Sequence, residues 1–211
     1  MESAGSGRVP RVILVSIAKS GTHLLQELML ALGYKMFGSG VWLTPQTIPV
    51  LDRDPRDVTL SAINFLADSS GKGFSAYNDI RVFSEILQAK ETLEAQLTYA
   101  LTDPSFPAQG DFHRMLWLLH HPRVCKTSFE ELVGPAGGGS AQLQEQALKR
   151  VIDFLGITDA KPEDVAGKLF NRDSFSFYRG QIGGWREVFT RDHRRLANER
   201  FGDVMPYYGY E

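Results

Sequence analysis

The sequence predicts a three-layer α/β/α fold around a mainly parallel sheet. Its first apolar run, Val12-Ile13-Leu14-Val15, is continuous rather than alternating, as in a strand buried on both faces of a parallel sheet. A short glycine-containing turn, Ser16 to Thr22, leads directly into an apolar-rich helical pattern. Short apolar runs and amphipathic segments then alternate along the chain, with no internal repeat and no linker between domains.

The helix after the turn carries Leu24, Leu25, Leu28, Leu30 and Leu32 and is expected to close at Gly33 as its C′ residue. Ile48 to Leu51 is a second strand candidate, weakened by Pro49, which cannot donate to a central ladder. Beyond Pro55 the pattern is helical (Val58, Leu60, Ile63, Phe65, Leu66), and residues 67–80 read as loop. From Ile80 to Leu101 the apolar spacing suits one long amphipathic helix or two stacked ones. Phe112 to Leu119 predicts a helix ended near Pro122, and Val124 to Thr127 a short strand followed by Phe129-Glu130-Glu131-Leu132. Gly134 to Ser140 is too glycine-rich for regular structure. Ser140 then fits the N-cap of a helix through Leu155, with Gly156 after it. Pro162 sits at N1 of a further helix with Glu163 and Asp164 in its first turn. A polar stretch, Asn171 to Gly184, precedes one charged helix from Trp185 to about Arg200.

Length and composition bound the function. At 211 residues the chain is expected to form a flexible lead-in over residues 1–10 and a single domain over 11–211. A net charge of −2 argues against a polybasic nucleic-acid or membrane binder but allows a local basic pocket. No apolar window is long enough to span a membrane, and Met1 to Pro10 lacks the apolar run of a secretory signal, so the expected setting is cytoplasmic. One cysteine, Cys125, excludes an intramolecular disulfide and a multi-cysteine zinc site. His120 and His121 adjoin Pro122 and form no ligand cluster, so no metal is expected.

Ala18-Lys19-Ser20-Gly21-Thr22-His23 lies between a strand and a helix start. Such a turn aims unpaired backbone N–H groups and the positive end of the helix dipole at one spot. Gly21 permits close approach, Ser20 and Thr22 bring hydroxyls, and Lys19 brings a full charge. A phosphate-type anion suits that turn, whereas the plain alternative is a βα turn with a capping hydroxyl. It is not a Walker A loop, because lysine precedes Ser-Gly-Thr and no glycine lies between Pro10 and Lys19.

These residues resemble the sulfotransferases that use 3′-phosphoadenosine 5′-phosphosulfate (PAPS). The family's P-K-S-G-T-[TH] signature is similar to Ala18 through His23, with alanine in place of proline. Its R-[DN]-P-[RK]-D-V signature matches Arg53 to Val58, with Ser61 eight residues after the arginine. Y-E-D-L appears as Phe129 to Leu132, and R-K-G-x-x-G-x-W-[KR] as Tyr178 to Arg186. The Gly134–Ser140 loop looks like that of bacterial members. The resemblance implies a P-loop-like sulfotransferase fold and PAPS as co-substrate, without metal. It implies that Lys19, Ser20, Gly21, Thr22 and His23 hold the 5′-phosphosulfate, and that Arg53, Ser61, Arg179 and Gly180 hold the 3′-phosphate. Guanidinium groups suit a dianion because they bind it bidentately. Without the other signatures, Arg53 and Arg56 would read as a solvated loop neutralised by aspartates.

The chain departs from the family in four further ways. Leu24 stands where many members stack an aromatic ring on adenine, Phe129 replaces the tyrosine of the third signature, and Tyr178 the first arginine of the fourth. Phe177 or Tyr178 could stack instead. The usual histidine base lies between the first two signatures, but Leu25 to Asp52 is short and holds no histidine. The acceptor side is thus expected to be shortened. Glu27 lies eight residues after Lys19, the offset of the catalytic glutamate in glucosaminyl-type members, and His23 shares its helix face at i and i+4. Either could serve as base, while Glu27 could also be merely solvated and His23 only a cap. His113, His120, His121 and His193 are expected to be structural or exposed. The resemblance implies sulfuryl transfer to a hydroxyl or amine of a small molecule or sugar. The alternative is a non-catalytic PAPS or 3′,5′-ADP binder that lost its acceptor pocket, and a metal-dependent nucleoside triphosphatase is disfavoured by the altered loop.

Overall fold

The computed structural model describes residues 12–35, 48–68, 78–170 and 180–211. The lead-in predicted for residues 1–10 lies outside the described residues. Three parallel strands, β1 (Val15–Ser16), β2 (Ile48–Asp52) and β3 (Val124–Ser128), form a sheet in the order β1-β2-β3. Val50 joins an apolar cluster on one face and Leu51 a second cluster on the other, the two-sided burial that a central parallel strand requires.

Pro49 lies inside the central strand, and the ladder explains how. The Ile48 N–H donates toward β3, to the Arg123 carbonyl at 2.8 Å. Alternation along a strand turns the Pro49 nitrogen toward β1. Pairing with β1 begins only at Val15 opposite Val50, so the missing donor falls just before the ladder starts. The strand predicted from Val12 is regular only over Val15–Ser16, with Val12 in an isolated bridge.

Helix α1 (Thr22–Ala31) follows the turn and ends as expected at Gly33, with φ 84°. The Tyr34 N–H reaches the Met29 carbonyl and the Gly33 N–H that of Leu30, the paired bonds of a Schellman cap. Helix α2 (Pro55–Leu66) has Asp54 as N-cap and Pro55 at N1. The Ile80–Leu101 pattern resolves into two helices, α3 (Asn78–Gln88) and α4 (Leu93–Thr102), with Thr92 capping the second. Helix α5 (Gln109–Met115) starts earlier than Phe112 and tightens into a 3-10 turn over Leu116–His120. After β3 come α6 (Phe129–Leu132), closed by a Ser128–Glu131 capping box, a short 3-10 turn at Pro135–Gly137, α7 (Ala141–Leu155) capped by Ser140, and α8 (Pro162–Ala166).

The predicted single helix from Trp185 is broken. It forms α9 (Trp185–Val188) and α10 (Arg191–Phe201), because the Thr190 hydroxyl accepts from the His193 N–H and starts a new helix. A final turn, α11 (Met205–Tyr208), has Pro206 in its first turn and Gly209, with φ 88°, after its end. His193 is buried, its Nε2 3.1 Å from the Thr98 hydroxyl, whereas exposed His113 pairs with Asp203 and His120 and His121 are exposed.

Two aspartates join distant parts of this fold. Asp57, 2% exposed, accepts from the N–H groups of Gly183 at 2.7 Å and Trp185 at 3.0 Å. Asp54 caps α2, accepts from the Trp185 indole at 3.1 Å, and holds Arg56 through Nε and Nη2, both at 2.9 Å. The Arg56 guanidinium also lies 4.0 Å from the Trp185 ring centroid. Asp57→Ala would strand two buried donors and uncover Arg53, so we expect about 3 kcal/mol of lost stability in urea titrations followed by tryptophan fluorescence.

Candidate active site

The turn between β1 and α1 has a strained backbone. Lys19 takes φ 67°, a left-handed conformation that is unfavourable for a residue with a Cβ, and Gly21 takes φ 105°. A Cβ on Gly21 would stand 2.8 Å from the Phe129 ring, so the turn needs glycine both for its conformation and for this close packing. Ser20 is fully buried. Its hydroxyl lies 2.7 Å from the Ile17 carbonyl and 3.2 Å from that of Leu51, and its N–H also donates to Ile17. Ser20 therefore ties the turn to the sheet, and the hydroxyl donor expected there is engaged inside the protein. The Thr22 hydroxyl pairs with that of Ser16 at 2.7 Å. The first α1 bonds onto Gly21 come from Leu24 and Leu25, so the Thr22 and His23 N–H groups precede the intrahelical ladder.

Lys19 extends from this turn over Phe65, its ammonium 3.8 Å from the ring centroid. Burial, with a contribution from the Arg53 charge, lowers its pKa to about 8. Arg53 lines the same cleft. Only 9% exposed, it lies 4.2 Å from the Phe129 ring centroid and donates to the Gln181 carbonyl at 2.8 Å. The Asp57 carboxylate is 3.8 Å away, and burial raises the Asp57 pKa against that attraction. Among the described residues the Arg53 Nε has no hydrogen-bond partner. An orphaned buried guanidinium N–H is costly unless a ligand completes it. Arg56, by contrast, is the Asp-neutralised side chain that the plain reading offered for both arginines.

The cleft encloses about 360 Å³, within the range of small-molecule sites. Lys19, Gly21, Thr22, His23, Glu27, Arg53, Ser61, Phe129 and Gly180 all line it. Ser20 lies beneath it. Arg179, with Phe177 and Tyr178, lies outside the described residues. Leu24, Leu60, Val133, Leu169 and Phe170 supply apolar walls. Phe129, which lacks the hydroxyl of the family tyrosine, serves as the surface on which both Gly21 and Arg53 rest.

Other lining residues escaped the sequence reading. Asp57, Ser61 and Phe65 recur every four residues on α2 and share one face; that spacing was a usable signal for Phe65 and Asn64. Gln181 contributes through its carbonyl, which no sequence pattern reveals. Gly137 supports it from behind: its carbonyl accepts from the Ile182 N–H at 3.2 Å, and a Cβ there would stand 2.5 Å from the Gly180 oxygen. The glycine-rich loop thus packs directly against the 180–182 segment, whose Gln181 carbonyl meets Arg53.

No family model matches the sequence, and no curated protein matches it. Solved structures do. The crystal structure of mouse sulfotransferase SULT7A1 complexed with PAP matches 94% of this chain and 84% of its own, at a TM-score of 0.62 and 19% identity. The chain has a sulfotransferase fold. That counterpart is a mouse protein, so the likeness does not single out the bacterial type that the glycine-rich loop suggested.

Gly21→Ala is expected to cost at least about 1–2 kcal/mol through its left-handed backbone alone, with Phe129 displaced in addition. Thermal unfolding compared with that of Gly33→Ala would check this, since Gly33 also has positive φ but nothing within 4 Å of its added Cβ.

Proposed function

We propose that this protein is a PAPS-dependent sulfotransferase that moves a sulfuryl group to a hydroxyl or amine of a small molecule or sugar and releases 3′,5′-ADP. The observation carrying this reading is the pair of cations, Lys19 and Arg53, facing one cleft, with the Arg53 Nε buried and unpartnered among the described residues. Two like charges lining one small cleft suit a ligand with two anionic groups. The PAP named with the mouse structure is such a molecule, and it is the product this reaction would release.

In this reading Arg53, Ser61 and Gly180 hold the 3′-phosphate, joined by Arg179 from the fourth signature. Lys19, Gly21, Thr22 and His23 hold the 5′ end, where the α1 N-terminus adds its dipole. Ser20 contributes by fixing the turn. The acceptor oxygen or nitrogen forms its bond to sulfur in line as the bond from sulfur to the 5′-phosphate oxygen breaks. The electron pair stays with that phosphate, and Lys19 stabilises the charge developing there. The acceptor proton goes to Glu27 or His23, which both line the cleft on α1.

Binding is read by the shift in melting temperature with 3′,5′-ADP, and transfer by labelled sulfate moving from PAPS to an acceptor panel. Arg53→Ala is expected to weaken 3′,5′-ADP binding about 100-fold, from loss of charge-assisted bonds; unchanged stabilisation would remove the 3′-phosphate assignment. Because the Lys19 ammonium must be charged to hold the anion, its contribution is complete below about pH 8. As pH rises further the affinity is expected to drop, by up to about tenfold per pH unit. Calorimetry on Lys19→Met should lose that limb. Glu27→Gln and His23→Ala, compared at saturating PAPS, identify the base by which one lowers kcat; wild-type turnover in both would eliminate both.

A further inference from the structure

On the side of the sheet end away from the cleft, three titratable side chains meet that the reaction above does not use. The Tyr210 hydroxyl oxygen lies 2.9 Å from Asp52 Oδ1 and 2.8 Å from Glu130 Oε2. A phenol has one hydrogen, and two contacts this short to two carboxyl groups call for a second one. We propose that Asp52, Tyr210 and Glu130 share an extra proton, and that this proton fixes the position of Arg53.

The surroundings favour a proton on the carboxyl side. Asp52 is fully buried, and its Oδ2 has no hydrogen-bond partner among the described residues. The nearest cation, Lys126 on β3, stands 3.8 Å from that oxygen and donates instead to the Tyr208 carbonyl at 2.8 Å. Glu131 on α6 faces the pair with further negative charge and is itself held by Arg150 of α7 at 2.9 Å. Arg53 supplies the remaining nearby positive charge, acting on Glu130. Burial raises the Asp52 carboxyl to about 7 and pushes Glu130 up as well, while the Tyr210 phenol is held far above its ordinary range.

The link to Arg53 lies in the chain itself. Asp52 is the residue before Arg53, and the other oxygen of Glu130 accepts from the N–H of Asp54, the residue after it, at 3.1 Å. Both neighbours of Arg53 are thus fastened to one phenol. With the proton present, each carboxyl has a hydrogen-bonded place on the Tyr210 oxygen. As pH rises through about 7 the proton leaves, one contact becomes repulsive, and the clamp on the strand end loosens. Tyr210 is therefore a positioning residue for Arg53. Any consequence for nucleotide affinity rests on the function proposed above; the shared proton does not.

NMR of side-chain carboxyl carbons and of the Arg53 Nε, on the full chain without ligand, tests the proposal. One carboxyl of the pair is expected to titrate near neutrality, and the Arg53 Nε resonance to move with the same midpoint. Glu130→Gln, which imitates the protonated acid, should abolish that movement, and Tyr210→Phe should uncouple Arg53 from the remaining carboxyl. Two carboxyls titrating in the ordinary acidic range, or an Arg53 resonance indifferent to that proton, would overturn it. Calorimetry with 3′,5′-ADP forms a second arm. Wild-type affinity should fall by up to about tenfold per pH unit above the shared midpoint, relative to Glu130→Gln in the same buffers. This difference cancels the titrations of Lys19 and of the nucleotide phosphates. If no variant binds 3′,5′-ADP while the NMR coupling persists, the nucleotide reading fails and the shared proton stands.

Discussion

The site depends on two buried aspartates at the start of α2. Asp54 and Asp57 sit one turn apart and reach across the chain to the 183–185 turn, Asp57 through backbone N–H groups and Asp54 through the Trp185 indole. These bonds set the fourth signature beside the second and place the Gln181 carbonyl on Arg53. Buried carboxylates are tolerated only when donors surround them, and here the donors belong to the very segments that must meet. The same bonds therefore serve both the packing of the core and the assembly of the cleft.

The cleft concentrates positive charge in a chain of net charge −2. Lys19 and Arg53 repel each other, and each rests on an aromatic ring, Phe65 and Phe129 respectively. A quadrupole offsets part of a cation's lost hydration without neutralising it. The resulting pocket is organised around charge that the protein leaves only partly balanced. The left-handed backbone at Lys19 adds strain at the same point, maintained by Ser20 beneath it and by the packing of Gly21 on Phe129.

Most of the elements were legible because they follow from local chemistry. Gly33 ends α1, Ser140 and Gly156 bound α7, and Pro55 and Pro162 open their helices, each through a preference that needs no tertiary partner. The sequence was less decisive where a distant partner settled the outcome. Pro49 is allowed in the central strand because its nitrogen faces a stretch that β1 does not reach. Thr190 breaks the last helix because its hydroxyl captures the His193 N–H, and His193 is in turn held against α4. Among the cleft-lining residues, the local pattern pointed to Lys19 and Gly21, and the family resemblance to Arg53. Phe65, Gln181 and Gly137 act through a ring face, a carbonyl and a missing side chain, and residue type alone does not advertise those roles.

By itself the sequence determined the layered fold, the lysine-containing turn at the head of α1, and the resemblance that ties that turn to Arg53. These rest on periodicity, capping and short motifs, which are properties of neighbouring residues. Only the tertiary structure decided that Arg53 is buried on Phe129 with an Nε that has no partner among the described residues, because that depends on distant groups, whereas Arg56, three residues on, is neutralised locally by Asp54. It also decided that Tyr210 closes over Asp52 and Glu130: hydrogen bonds of under 3 Å across 158 and 80 residues of chain are set by packing, not by order along it.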